Sequence, residues 1–150
     1  MKKLFLILCC SLVVLSLAFA GGEQEPEQVV AEEEMAEDDF PFTGMLEGVD
    51  TIFLVNEMFS EWQTANSYYL QGLIERAGGT CKVFDPEGSA DNQLPQADDA
   101  FVLKPDILFV KPVDGQAIVP SLQKFNEAGI PIIAIDMRPA EGVDLLTHIT

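Results

Sequence analysis

The side chains most suited to binding a polar ligand follow short apolar runs in this sequence. Asn56 follows the run at 51–55, Asp114 lies in the loop after the run at 107–110, and Asp136 follows the run at 130–135. Carboxylate and amide oxygens accept hydrogen bonds, and a charged acceptor strengthens them. Trp62 and Phe59 add flat apolar rings after the first run, and Arg138 adds a planar donor. These residue types indicate a binding site.

No motif for catalysis accompanies these residues. The segment 56–60 contains no glycine that could cradle a phosphate, G-x-S-x-G is absent, and the one histidine, His148, has no nucleophile or metal partner in view. The three cysteines lack metal-ligand spacing, and Cys81 is predicted to be a small buried strand residue. No metal or cofactor is therefore expected. An enzyme on a flavodoxin-like or Rossmann-like sheet remains a disfavoured alternative.

Charge excludes a further class of partner. The chain has 8 basic and 25 acidic residues, a formal net charge of −17. Because nucleic-acid binding depends on clustered Lys and Arg, no nucleic-acid partner is expected.

The elements that must position these residues alternate along the chain. Apolar runs of strand length are separated by stretches with helical periodicity, such as 61–77, where Trp62, Ala65, Tyr69, Leu73 and Ala77 form the predicted core stripe. The predicted strands are 50–56, 80–84, 106–110, 130–135 and a short 145–149, and the predicted helices are 61–77, 91–103 and 116–128. Continuous apolar strands in a βαβ order predict an α/β fold with a doubly wound parallel sheet. Ligands bind beyond the carboxyl ends of such strands.

The N-terminal third has a different character. Residues 1–20 predict a signal peptide, because Lys2 and Lys3 precede an apolar run that ends in Ala18-Phe19-Ala20. An uncleaved membrane anchor is the alternative. Residues 21–47 are predicted to be an acidic disordered linker, since nine acidic and no basic residues lie within 21–40. A cation-binding or partner-binding acidic arm is the alternative reading of this segment.

A series of short motifs in the remainder follows the order found in a known family. Residues 104–114 read KPDILFVKPVD and residues 128–136 read AGIPIIAID. Gly72, Ala77-Gly78-Gly79, Phe84-Asp85 and Asp91-Asn92-Gln93 precede them. This order resembles the sugar-binding proteins of the type I periplasmic fold, the ribose/galactose-binding group that delivers ligand to ABC transporters. The resemblance covers about residues 50–150. It implies that residues 48–150 form the N-terminal lobe, and a second lobe is expected to be absent.

The resemblance implies roles for the candidate residues. Asp136 is expected as an ion-pair-free carboxylate that accepts hydrogen bonds from two sugar hydroxyls. Arg138 is expected to donate hydrogen bonds to the ring oxygen or the hydroxyls of the sugar. It stands one residue later than the family's arginine, because Met137 occupies that place, and a surface charge is its alternative. Trp62 and Phe59 are expected to stack on the sugar, with core packing as the rival reading of Trp62. Asn56 is expected to contact ligand or to cap a helix, and Asp114 to order its loop rather than contact sugar.

The resemblance also implies partners. The family binds a small sugar between two lobes and presents it to an ABC transporter permease. A periplasmic location is therefore expected, and a permease partner is expected if a second lobe completes the site. A truncated or split receptor, or a sensory lobe that works only with a partner, is the alternative.

Overall fold

The computed structural model describes residues 40–150. The predicted signal peptide and most of the predicted linker lie outside the described residues. Residues 41–48 form successive turns, and the Leu46 amide donates a hydrogen bond of 2.8 Å to the Ala77 carbonyl. Part of the predicted linker, residues 41–47, therefore packs against the rest of the described chain. Within 40–150, none of the helices combines the length and hydrophobicity needed to cross a membrane.

A five-stranded, fully parallel sheet forms the centre of the fold, with strand order β2-β1-β3-β4-β5. Its elements are β1 Asp50–Leu54, α1 Glu61–Arg76, β2 Thr80–Phe84, α2 Ala90–Leu103, β3 Ile107–Val110, α3 Val119–Glu127, β4 Ile132–Ile135 and β5 Thr147–Ile149. The predicted alternation and the doubly wound α/β class are confirmed. Strand 145–149 is shorter than predicted, and α3 begins three residues late because a turn occupies 115–118.

Both faces of the sheet are covered, which explains why the strands are continuously apolar. Successive side chains of a strand point to opposite faces. Ile52 and Leu54 therefore join the core under α2 and α3, whereas Phe53 and Val55 join a second core under α1. Cys81 lies in this second core, and burial raises the pKa of its thiol, in keeping with a structural residue.

The predicted core stripe of α1 is only partly right. Ala77 is buried as predicted, but Trp62, Ala65 and Tyr69 are exposed, and Ser67 and Ile74 are the buried residues within the helix. Gln63 also faces inward, because its side-chain oxygen accepts a hydrogen bond from the buried Lys111 ammonium at 2.9 Å. This polar contact and the small Ser67 lie on the inward face of the helix, whereas Trp62 faces away from the core.

Candidate ligand-binding site

The order of the strands places a crevice beyond the carboxyl ends of β1 and β3. The chain passes from β1 to β2 on one side and returns to β3 on the other, so the connections that follow β1 and β3 diverge. Ligands of open α/β sheets bind in such a crevice. Asn56 lies just beyond the end of β1, and Lys111 directly follows β3.

A cavity of about 320 Å³ lies between α1 and the ends of the strands. It brings together three of the predicted site residues, Asn56, Trp62 and Asp136. It also includes Lys111 and Gln63, which sequence reasoning missed. The remaining lining is mostly apolar. The site is thus an apolar hollow with a polar cluster on one side, the usual make-up of a small-molecule site.

Asp136 is held in a defined position at the end of β4. Its backbone adopts a left-handed conformation with φ of 59°, which Asp tolerates better than most residues. The Asp136 amide donates to the Ile149 carbonyl at 2.7 Å, and the Asp136 carbonyl lies 3.0 Å from His148 Nε2. These contacts with β5 fix the backbone, and the carboxylate remains 56% exposed. His148 is a strand residue, as predicted.

The expectation that Asp136 has no ion pair is wrong. Lys111 Nζ lies 2.5 Å from Asp136 Oδ2, and only 5% of the lysine side chain is exposed. The ammonium also donates to Gln63 Oε1 and lies 5.7 Å from the centroid of the Trp62 ring. A buried ammonium requires such partners, because desolvation of an unpaired charge is costly. The sequence signal that could have found Lys111 is a charged residue placed directly after an apolar strand.

Asn56 offers an acceptor that nothing in the described part of the chain uses. Its Oδ1 atom is buried and has no hydrogen-bond partner among residues 40–150. The helix-capping role is taken by Ser60, whose hydroxyl accepts from the Gln63 amide at 3.2 Å. Buried polar atoms are usually paired, so the unused Asn56 Oδ1 at this cavity is an exception that a bound donor would satisfy.

Gln93, which sequence reasoning also missed as a site residue, connects the strand ends. It is 1% exposed, and its Nε2 donates to the carbonyls of Val55 at 2.7 Å and Lys111 at 3.0 Å. Its Oε1 accepts from the Val113 amide at 2.8 Å. One side chain thereby fixes the backbone beyond β1 and β3, which positions Asn56 and Lys111.

Three predicted site residues do not line the cavity. Asp114 Oδ1 accepts from the Ala117 and Gln116 amides, and these two bonds hold the pKa of Asp114 below its usual value, so it orders its loop. Phe59 is 70% exposed and lies beside Gly88 in the loop after β2. Arg138 is exposed and lines a separate hollow with Pro139 and Glu141.

The fold is a lobe of the parallel α/β class with a cavity at the carboxyl ends of its strands. The chain matches the family model for the periplasmic binding protein domain over residues 52–148. It therefore belongs to the periplasmic binding protein family. No curated protein matches the chain significantly.

Solved structures support the same fold. A periplasmic ribose ABC transporter protein from Conexibacter woesei is 21% identical with a TM-score of 0.65, over 69% of this chain and 35% of that one. An ABC sugar transporter subunit from Rhodobacter sphaeroides is 28% identical with a TM-score of 0.58, over 61% and 32%. The Caulobacter myo-inositol binding protein is 22% identical with a TM-score of 0.59, over 67% and 34%. The chain thus covers about a third of each of these structures.

Proposed function

We propose that this chain is an exported lobe that binds a sugar or a similar small polyhydroxylated ligand for an ABC-type importer. The observation that carries the proposal is the cavity at the carboxyl ends of the strands, where the exposed Asp136 carboxylate lies with Asn56 and Trp62. Membership of the periplasmic binding protein family supports it, as do the sugar and inositol names of several similar structures.

Each of the three residues has a distinct part in this proposal. The Asp136 carboxylate and Asn56 Oδ1 accept hydrogen bonds from ligand hydroxyls, and the charge of Asp136 makes its bonds the stronger ones. The indole of Trp62, which is 65% exposed, stacks on the apolar face of the sugar ring. No covalent step is involved, so the function is binding and delivery to a permease, after closure of two lobes.

The chain alone supplies one wall of such a site. A complete site with micromolar affinity corresponds to about −8 kcal/mol, and half of that free energy corresponds to about millimolar affinity. We therefore expect weak binding by this chain, at millimolar Kd or above.

The test is an NMR titration of the full chain with D-ribose, D-glucose, D-galactose and myo-inositol to about 200 mM. The indole N–H resonance of Trp62 reports on the site, because this is the one tryptophan in the sequence. At least one sugar should shift this resonance with saturation at millimolar Kd. The D136N variant should weaken that binding about fivefold or more, because a charged acceptor is lost.

Asp98 provides the matched control for this titration. The Asp98 side chain is 56% exposed, like that of Asp136, and it pairs with Lys124 at 2.6 Å. This pair lies on the opposite face of the sheet, beside the core under α2 and α3. The D98N variant should leave sugar binding unchanged. Absence of any saturable shift in the unmodified chain, or equal loss in both variants, would contradict the proposal.

A second candidate is a lobe that binds only together with a partner chain. It is favoured by the exposed Trp62 and Tyr69 rings beside the cavity. A neighbouring gene that encodes a second βαβ array would support a split receptor. An in-frame continuation with the same array would instead support a single two-lobed receptor.

A further inference from the structure

A buried lysine is an unusual feature of this cavity. Lys111 is enclosed by the Asp136 carboxylate, the Gln63 amide oxygen and the Trp62 ring, and its side chain is 5% exposed. A ligand group therefore has almost no access to the ammonium. Lys111 acts on a ligand through Asp136 and not by direct contact.

The ion pair divides the Asp136 carboxylate into an occupied and an available half. Oδ2 pairs with Lys111, and no hydrogen bond to Oδ1 is present among residues 40–150. An ionised carboxylate can accept several hydrogen bonds. The Lys111 contact thus fixes the orientation of the carboxylate and leaves Oδ1 to receive a ligand donor.

The pair also sets the charge of the site. Lys111 and Asp136 are the only charged side chains among the described residues that line the cavity. Their charges cancel, so among the side chains of the cavity there is neither an unpaired anion for an amine nor an accessible cation for an acid.

We propose that Lys111 is a positioning residue that restricts this site to uncharged polyhydroxylated ligands, against amino sugars and sugar acids. The inference rests on the proposed function, because it specifies the ligand class of that same site. Removal of the ammonium would leave Asp136 as an unpaired, exposed carboxylate. Such a site would favour a ligand that brings its own cation.

The test compares D-glucose, D-glucosamine and N-acetyl-D-glucosamine on the unmodified chain and on K111M and K111Q, at roughly pH 6 where the sugar amine is protonated. The readout is the ratio of Kd values from the Trp62 indole resonance. The unmodified chain should bind glucosamine no tighter than glucose. In both variants the affinity for glucosamine relative to glucose should rise by about fivefold or more, the size expected for one new accessible charge pair. The affinity for N-acetylglucosamine relative to glucose should not rise, because this sugar lacks the positive charge.

Two further variants separate charge from packing. K124M removes the lysine of the exposed Lys124–Asp98 pair and should leave every ratio unchanged. K111R keeps the positive charge and should retain the ratio of the unmodified chain, which a purely structural role of Lys111 would not predict. Dispersed amide resonances establish that each variant is folded, and K111Q retains polar groups in the buried space if K111M does not fold.

The outcomes distinguish the two proposals. Saturable binding of glucose with a ratio in K111M and K111Q within twofold of the unmodified chain would overturn the role of Lys111 and leave the proposed function standing. Tighter binding of glucosamine than glucose by the unmodified chain would overturn it equally. No saturable shift with any of the neutral sugars would overturn both.

Discussion

At the scale of single residues, two buried polar side chains determine the geometry of the site. Lys111 fixes the Asp136 carboxylate, and Gln93 fixes the backbone from which Asn56 and Lys111 project. Neither contact is local in sequence, since Gln93 lies 38 residues from Val55 and 18 from Lys111. The site therefore depends on tertiary structure, and substitution of Lys111 or Gln93 should disturb ligand contacts that neither residue makes itself.

Gln93 permits a direct test of this dependence. The Q93A variant leaves two carbonyls and the Val113 amide without their buried partner, so we expect a loss of about 3 kcal/mol in the free energy of unfolding. Urea denaturation followed by far-UV circular dichroism measures it. Gln123 is exposed and makes one hydrogen bond, to the Gly142 carbonyl, so Q123A should change stability by less than about 0.5 kcal/mol. Equal effects of the two changes would contradict the assigned role of Gln93.

At the scale of elements, the order of strands and helices could be predicted because apolar periodicity and glycine stops are local signals. The second strand, 80–84, was predicted with the bounds that the structure gives it. The rotation of α1 could not be predicted in the same way. Two adjacent stripes of that helix carry apolar residues, and the stripe that faces inward also brings Gln63 to Lys111, a contact between residues 48 positions apart that apolar periodicity does not predict.

For the site as well, local sequence signals could be read and tertiary contacts could not. Asn56 and Asp136 could be found because they follow apolar strands, and both line the cavity. Asp114 also follows a strand, but its carboxylate is taken up by the amides of its own turn. Lys111 and Gln93 were missed because their importance comes from partners that are distant in the sequence. The pattern of residue types shows which polar side chains lie at the strand ends, but not which of them form hydrogen bonds or ion pairs with one another.

The start of α1 carries Trp62 and Gln63 into the site, and Ser60 holds that start in place. Its hydroxyl accepts from the Gln63 amide, a helix N-cap contact. The S60A variant should lose about 1 kcal/mol of stability, and S60D should restore most of it, since both Ser and Asp are good N-caps. Urea denaturation measures the change. A stability of S60A equal to that of the unmodified chain would show that the cap is not needed.

At the scale of the whole molecule, the location of the cavity follows from the distribution of the helices. Among the described elements, α2 and α3 pack on one face of the sheet and α1 alone packs on the other. The single helix leaves Ile135 and Ile149 of β4 and β5 at the border of the cavity instead of beneath a second helix. The same topology that forms the crevice at the strand ends thus also forms its apolar side wall.

The proposed function further requires that the lobe leave the cytoplasm, which residues 1–20 are predicted to direct. The small residues at Ala18 and Ala20 fit the positions that a signal peptidase reads. Expression of the full chain in a Gram-negative host should yield a periplasmic product whose intact mass lacks residues 1–20. The A18R variant should block processing, because a large charged side chain does not fit the peptidase, whereas A36R in the acidic segment should be processed normally. Recovery of the unmodified chain at full mass in the membrane fraction would establish the uncleaved anchor instead. It would also place the ligand-binding lobe at the membrane surface and not free in the periplasm.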